Sequence, residues 1–138
     1  LFWQLPVTSC PLLVLVMSKK GFMDLVVWQK AKDLAVSIYR ISGRGELARD
    51  FGLRDQLRRS AVSVASNIAE GDERNTDKES IRFFSIAKGS LAEFRTQIQI
   101  AHEVEYLPRD LYESLDHNCA ELGKMIGKLI KVRQEAIK

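Results

Sequence analysis

Between Leu53 and Gly71, in LRDQLRRSAVSVASNIAEG, apolar residues return at every third or fourth position. Leu53, Leu57, Ala61, Val64 and Ile68 share one stripe, and that period aligns on one face only in a helix. Arg54, Arg58 and Arg59 fall mostly off the stripe, and Gly71 reads as a left-handed stop after it. The far end of the stretch is unusual. Ser63, Ser66, Asn67 and Glu70 crowd a segment that also carries Val62, Val64, Ala65 and Ile68. Ser and Asn side chains compete with the helix for its own hydrogen bonds, so a neighbouring element has to satisfy them. Polar residues on a buried seam set register or choice of partner at some cost in stability.

Three further stretches carry the same period. Asp24 is placed to cap a helix beginning at Leu25, in which Leu25, Trp28, Ala31, Leu34, Ala35, Ile38 and Ile41 recur at three and four. Ser42 to Gly45 ends it. After Gly71 comes the polar DERNTDKES, read as a loop with Thr76 or Asp77 as the next cap; Thr76 and Glu79 have the capping-box spacing. A third, long helix then places Ile81, Phe84, Ala87, Leu91, Phe94, Ile98 and Ala101 on one stripe. Its mid-helix Gly89 and Ser90 predict a closely packed neighbour. Tyr106-Leu107-Pro108 ends it, and Pro108 suits the start of a fourth helix with Leu111, Leu115, Asn118, Leu122, Met125, Ile126, Leu129 and Val132 at helical spacing. Four helices, no strand signal and links of moderate length predict an all-α, antiparallel up-down four-helix bundle.

At 138 residues, with 46% hydrophobic and 28% charged residues, the chain fits one soluble domain and is not disordered. Three prolines and eight glycines leave room for long helices. The net charge of +3 permits an anionic partner without demanding one. Cys10 and Cys119 lie far apart and read as two free thiols, which fits a reducing cytoplasm. Residues 1–16 carry no charge. They lack the basic start and small-residue cleavage site of a secretory signal and fall short of the ~20 apolar residues of a membrane span. They are read as upstream translation, with Met17 as the start, residues 17–138 as the bundle domain and no membrane partner.

Bundles often hold two metals, through a Glu from each of two helices and a Glu-x-x-His from each of the others. Gln99 and Ser114 stand three residues before His102 and His117, so the motif is absent. No metal or cofactor is expected, and Glu113 with His117 reads as a solvated pair. Cys119 lies on a different face from His117, and no Gly-rich phosphate turn is visible, so no catalytic residues are assigned and no enzymatic activity is expected. Glu70 and Glu93 are the carboxylates placed to reach the interior; with Ser66, Asn67 and Ser90 they make a candidate buried polar network that fixes register or a contact between copies. Basic residues gather at Arg40, Arg44, Arg54, Arg58 and Arg59, and again at Lys124, Lys128 and Lys131. Their two readings are an ordinary solvated face and a surface that neutralises nucleic-acid phosphates.

Three segments, DLVVWQKAKDLAVSIYR, LRDQLRRSAVSVASNIAEG and KESIRFFSIAKGSLAEFRTQI, together resemble the bacterial four-helix bundle proteins encoded by intervening sequences within the 23S ribosomal RNA gene. The positions that carry the resemblance are Val27, Trp28, Gln29 and Ala31; Gln56 to Gly71; and Phe84, Ile86, Ala87, Gly89, Ser90, Leu91 and Glu93. Proline is common in that family where Ala65 stands, and leucine where Arg95 stands. The accessory protein of diversity-generating retroelements is similar in fold. The resemblance implies an antiparallel bundle assembling into a homo-oligomeric ring, a pentamer, with no established enzymatic activity. For the retroelement relative it implies a basic ring that binds nucleic acid and a reverse transcriptase. The resulting expectation is a non-catalytic oligomer that meets RNA, DNA or a nucleic-acid-handling protein through basic helix faces. The alternative is a protein-interaction scaffold whose arginine face pairs with an acidic protein surface, or a retroelement accessory protein partnering a reverse transcriptase.

Overall fold

The computed structural model describes residues 21–138; the expectations for residues 1–16 and for a start at Met17 lie outside the described residues. A 3-10 turn, Gly21–Asp24, leads into four helices: α1 (Val26–Ser42), α2 (Phe51–Asp72), α3 (Asp77–Glu103) and α4 (Arg109–Ile137). Among the described residues there is no strand.

Helix ends follow local chemistry. The Asp50 carboxylate accepts the Leu53 N–H at 3.1 Å and starts α2 two residues before the apolar stripe. The Thr76 hydroxyl accepts the Glu79 N–H at 3.2 Å, so the predicted cap of α3 is in place. Asp24 is not the cap of α1: it closes the 3-10 turn, and Leu25 stands at the cap position without a side-chain bond. The end of α3 needs no glycine. Glu105 adopts φ 67°; its N–H donates to the His102 carbonyl at 2.9 Å and the Tyr106 N–H donates to the Ala101 carbonyl at 2.8 Å. This is the pair of reversed bonds that closes a helix through a left-handed residue.

Gly71 departs from its expected role. It lies inside α2 without a positive φ. The reason for a glycine is proximity: a Cβ there would stand 2.5 Å from the Phe84 ring and 3.1 Å from the Ser80 carbonyl oxygen. Gly89 shows the converse, since nothing lies within 4 Å of its Cβ position and no helix packs against it.

The direction of each helix follows from its partners. Along α2 and α3, Ser60 meets Gln97 while the later Ser63 meets the earlier Ser90. Along α3 and α4, Arg95 meets Asp116 while the earlier Ser80 meets the later Arg133. Ser42, at the end of α1, meets Arg58 of α2, and Gly21, just before α1, lies beside Glu73 at the end of α2. Neighbours in sequence therefore run antiparallel. The core is drawn from the predicted stripes: Ala31, Leu34 and Ile38; Leu57, Ala61, Val64 and Ile68; Phe84, Leu91, Phe94 and Ile98; Leu115, Leu122 and Ile126; Asn118 and Val132 of the α4 stripe are exposed instead. Cys119 joins the core, fully buried. The α2–α3 and α3–α4 contacts are extensive, whereas α1 barely touches α4.

Each end of the bundle is pinned by one polar cluster. At the end holding the α1–α2 and α3–α4 links, the Tyr106 hydroxyl donates to Asp50 at 3.1 Å; that bond is the main reason the phenol is raised above its usual 10.0. At the other end Arg133 reaches Asp72 at 3.3 Å and Asp77 at 3.1 Å, with its guanidinium over the Phe84 ring.

Candidate functional site

The polar seam that the sequence places in α2 exists, with a different membership. Gln97 of α3 donates to Gln56 at 3.2 Å and accepts from Ser60 at 2.7 Å. Ser63 and Ser90 are bonded at 2.8 Å, and the Asn67 amide donates to the Ser63 carbonyl and hydroxyl at 2.8 and 3.0 Å. Ser60, Ser90 and Gln97 are buried, and every buried side-chain polar atom among the described residues has a partner. Asn67 and Ser90 thus belong to the network as expected, but Ser66, Glu70 and Glu93 do not. All three are exposed. At 100° per residue, Ser66 and Glu70 are turned onto the outer ridge of α2, away from Leu57 and Val64. Glu70 pairs there with Arg74 at 3.1 Å, and Glu93 borders the open side of the α2–α3 groove beside Arg59 and Gln56. Sequence reasoning missed Gln56, Ser60 and Gln97; the signal was their position one step to the same side of each apolar stripe.

The arginine cluster is divided by the fold. Arg58 donates to the Ser42 hydroxyl at 2.8 Å and the Tyr39 carbonyl at 3.3 Å, and lies over the Tyr39 ring. It therefore serves the C-terminus of α1, where a cation meets the orphan carbonyls. Arg54 pairs with Asp55 at 3.0 Å, donates to the Ala48 carbonyl and lies over Phe51. Arg59 points into the α2–α3 groove. Arg40 and Arg44 are exposed near the end of α1 and make no ion pair among the described residues.

Lys124, Lys128 and Lys131 form a cleaner group. They recur at four and three on one exposed stripe of α4 and likewise enter no ion pair among the described residues. The stripe begins at His117, whose Nε2 lies 3.0 Å from Glu121; Glu113 turns instead to Arg109 at 3.8 Å. The two basic groups stay apart within one protomer. Arg40 and Arg44 sit toward the Tyr106–Asp50 end, and Lys128 and Lys131 toward the Arg133 end.

Two further depressions flank α1. Between α1 and α4 a cavity of about 220 Å³ has Leu34, Leu115 and Leu122 as its floor and Lys30, Asp33 and Glu121 on its polar rim. Between α1 and α2 a groove of about 620 Å³ is largely apolar. Neither brings a nucleophile to a base. Cys119 is enclosed, and burial pushes its thiol up to about 12, far from the thiolate form that reacts. Among the described residues no three of His, Cys, Asp and Glu cluster as metal ligands, and no helix is long and apolar enough to cross a membrane.

The family described as 23S rRNA-intervening sequence protein matches residues 23–128. A protein of unknown function from the S23 ribosomal protein family of Bacteroides thetaiotaomicron, known from its crystal structure, is 27% identical. The match covers 77% of this chain and 99% of that one, with a TM-score of 0.71. No curated protein matches the chain.

Proposed function

The chain belongs to the 23S rRNA-intervening sequence protein family, and from that premise we propose that it is a non-catalytic homo-oligomeric bundle that associates with RNA or a ribonucleoprotein through basic helix faces. The observation that carries this reading is the α4 stripe of Lys124, Lys128 and Lys131, exposed and without carboxylate partners among the described residues. Three ammonium groups on one face, spread over ~10 Å of helix, suit a phosphate backbone and read no bases. Arg44, exposed at the other end, offers a second, smaller contact. Arg54 and Arg58 support the fold in this reading and are not counted among the contacts.

A single protomer of charge +3 binds polyanions weakly. Repetition around a closed ring, a pentamer in this reading, multiplies the field and the valency. The exposed Ser66, Glu70 and Glu93 then serve contacts between copies. The compartment that fits an RNA partner is the cytoplasm.

Binding to a structured RNA across a salt titration tests the reading. The wild-type oligomer binds at low salt, and the logarithm of its affinity falls linearly with that of salt. Replacing Lys124, Lys128 and Lys131 with Gln lowers affinity and reduces the slope by about 2–3 for each protomer engaged. An oligomeric sample that does not bind at low salt overturns the proposal, as does an unchanged slope in the triple variant.

A further inference from the structure

Two of the surfaces that carry exposed apolar side chains differ in character. One is the α1–α2 groove. Trp28, Val36 and Tyr39 form its α1 wall, and Val62, Ala65 and Ala69 its α2 side; Val36, Tyr39 and Val62 are 40–48% exposed. The small α2 residues keep that side low, which leaves room for the ridge of another helix. Cations edge the groove: Arg40, Lys32 (which also pairs with Asp33) and the Arg58 guanidinium 4.6 Å from the Tyr39 ring centre.

The other surface is the outward stripe of α3. Ile86 and Ile100 are 43% and 47% exposed, and the exposed Glu93 lies midway between them. Positions seven apart drift by only ~20° on a helix, so Glu79, Ile86, Glu93 and Ile100 share one face, which Glu103 extends. Arg82 and Lys78 are the two cations on the same side, against three carboxylates. The first surface is thus an apolar groove with a positive rim, and the second an apolar ridge with a negative balance.

The two surfaces cannot meet within one molecule. The ridge borders the α2–α3 side, where Glu93 stands beside Gln56 and Arg59, and the groove opens on the α1–α2 side. Helix α2 is shared by both, so the two sides are adjacent and not opposite. We propose that the α3 ridge of one copy seats in the α1–α2 groove of the next, with Ile86 and Ile100 against the small α2 residues and the ridge carboxylates against the groove cations. This rests on the oligomeric reading above and supplies its contact. The interface joins unlike surfaces, so each added copy leaves one groove and one ridge open until the assembly closes on itself. Because the surfaces lie on adjacent sides, successive copies turn and do not extend in a straight line, which is the geometry of a small ring.

Two surface variants test it: a groove variant, Val36→Glu with Val62→Glu, and a ridge variant, Ile86→Lys with Ile100→Lys. Native mass spectrometry reads the assembly, and circular dichroism melting verifies that each variant folds. The wild type is expected to be oligomeric, each variant alone monomeric with wild-type helicity, and an equimolar mixture a one-to-one dimer. In that mixture the intact ridge of the groove variant fills the intact groove of the ridge variant, and nothing can add further. Folded variants that keep the wild-type mass overturn the assigned faces while leaving the oligomeric reading standing. Monomeric variants that fail to pair on mixing overturn the groove-to-ridge contact. A monomeric wild type overturns both this contact and the oligomeric reading.

Discussion

Gly71 shows how a single residue can be recognised as special in a sequence and assigned the wrong cause. A glycine after an apolar stripe most often ends a helix, and that was its expected role. In the structure α2 runs through it, and its missing side chain admits the Phe84 ring. The spacing of residues along one helix cannot reveal what approaches from another. Gly71→Ala is expected to lower stability by ~1–3 kcal/mol, the usual cost of overpacking a tight contact, measured as a shift of the urea midpoint without a change in slope. Arg133 and Arg58 carry the same lesson for charge. Sequence places Arg58 in a basic group that reads as a solvated face or a phosphate-neutralising surface, yet it closes the end of α1, and Arg133 joins Asp72 to Asp77. Their partners are distant in sequence, so no local pattern announces them.

At the scale of the helix, what could be read was what is encoded nearby. The apolar stripes of α2 and α3 predicted the buried residues closely, because a helix fixes which positions share a face. The Thr76 cap was legible for the same reason, lying three residues from the N–H it serves. The α2–α3 polar ladder was legible in kind but not in membership: Asn67 and Ser90 are in it, while Gln56, Ser60 and Gln97 take the places expected of Ser66, Glu70 and Glu93. Whether a polar residue beside a stripe faces a neighbour or solvent depends on which side that neighbour packs. The end of α3 offers a test. Glu105 holds a left-handed conformation that disfavours a Cβ. Glu105→Gly is expected to stabilise the protein by ~0.5–1 kcal/mol, the relief of that strain offset in part by the greater freedom of an unfolded glycine. A thermal melt a few degrees higher supports this, and a lower one counts against it.

Across the whole molecule, the number and order of helices followed from four stripes and short links, and antiparallel packing from the links. The distribution of charge did not. Two basic groups adjacent on paper to one functional idea lie toward opposite ends of the bundle, because the helix carrying Lys124 to Lys131 runs against the one ending in Arg40. The bundle is also uneven around its circumference. Helix α3 adjoins both α2 and α4 over long faces, while α1 is held by α2 and hardly by α4. Amides in α1 are therefore expected to lose hydrogen-exchange protection before those at the centres of α2 and α3; equal protection throughout would contradict this.

The scant α1–α4 seam carries a further consequence. A bundle fastened along three of its four edges resembles a book with a loose front cover. Swinging that cover outward would open the floor formed by Leu115 and Leu122 to water, long before the remaining three helices come apart.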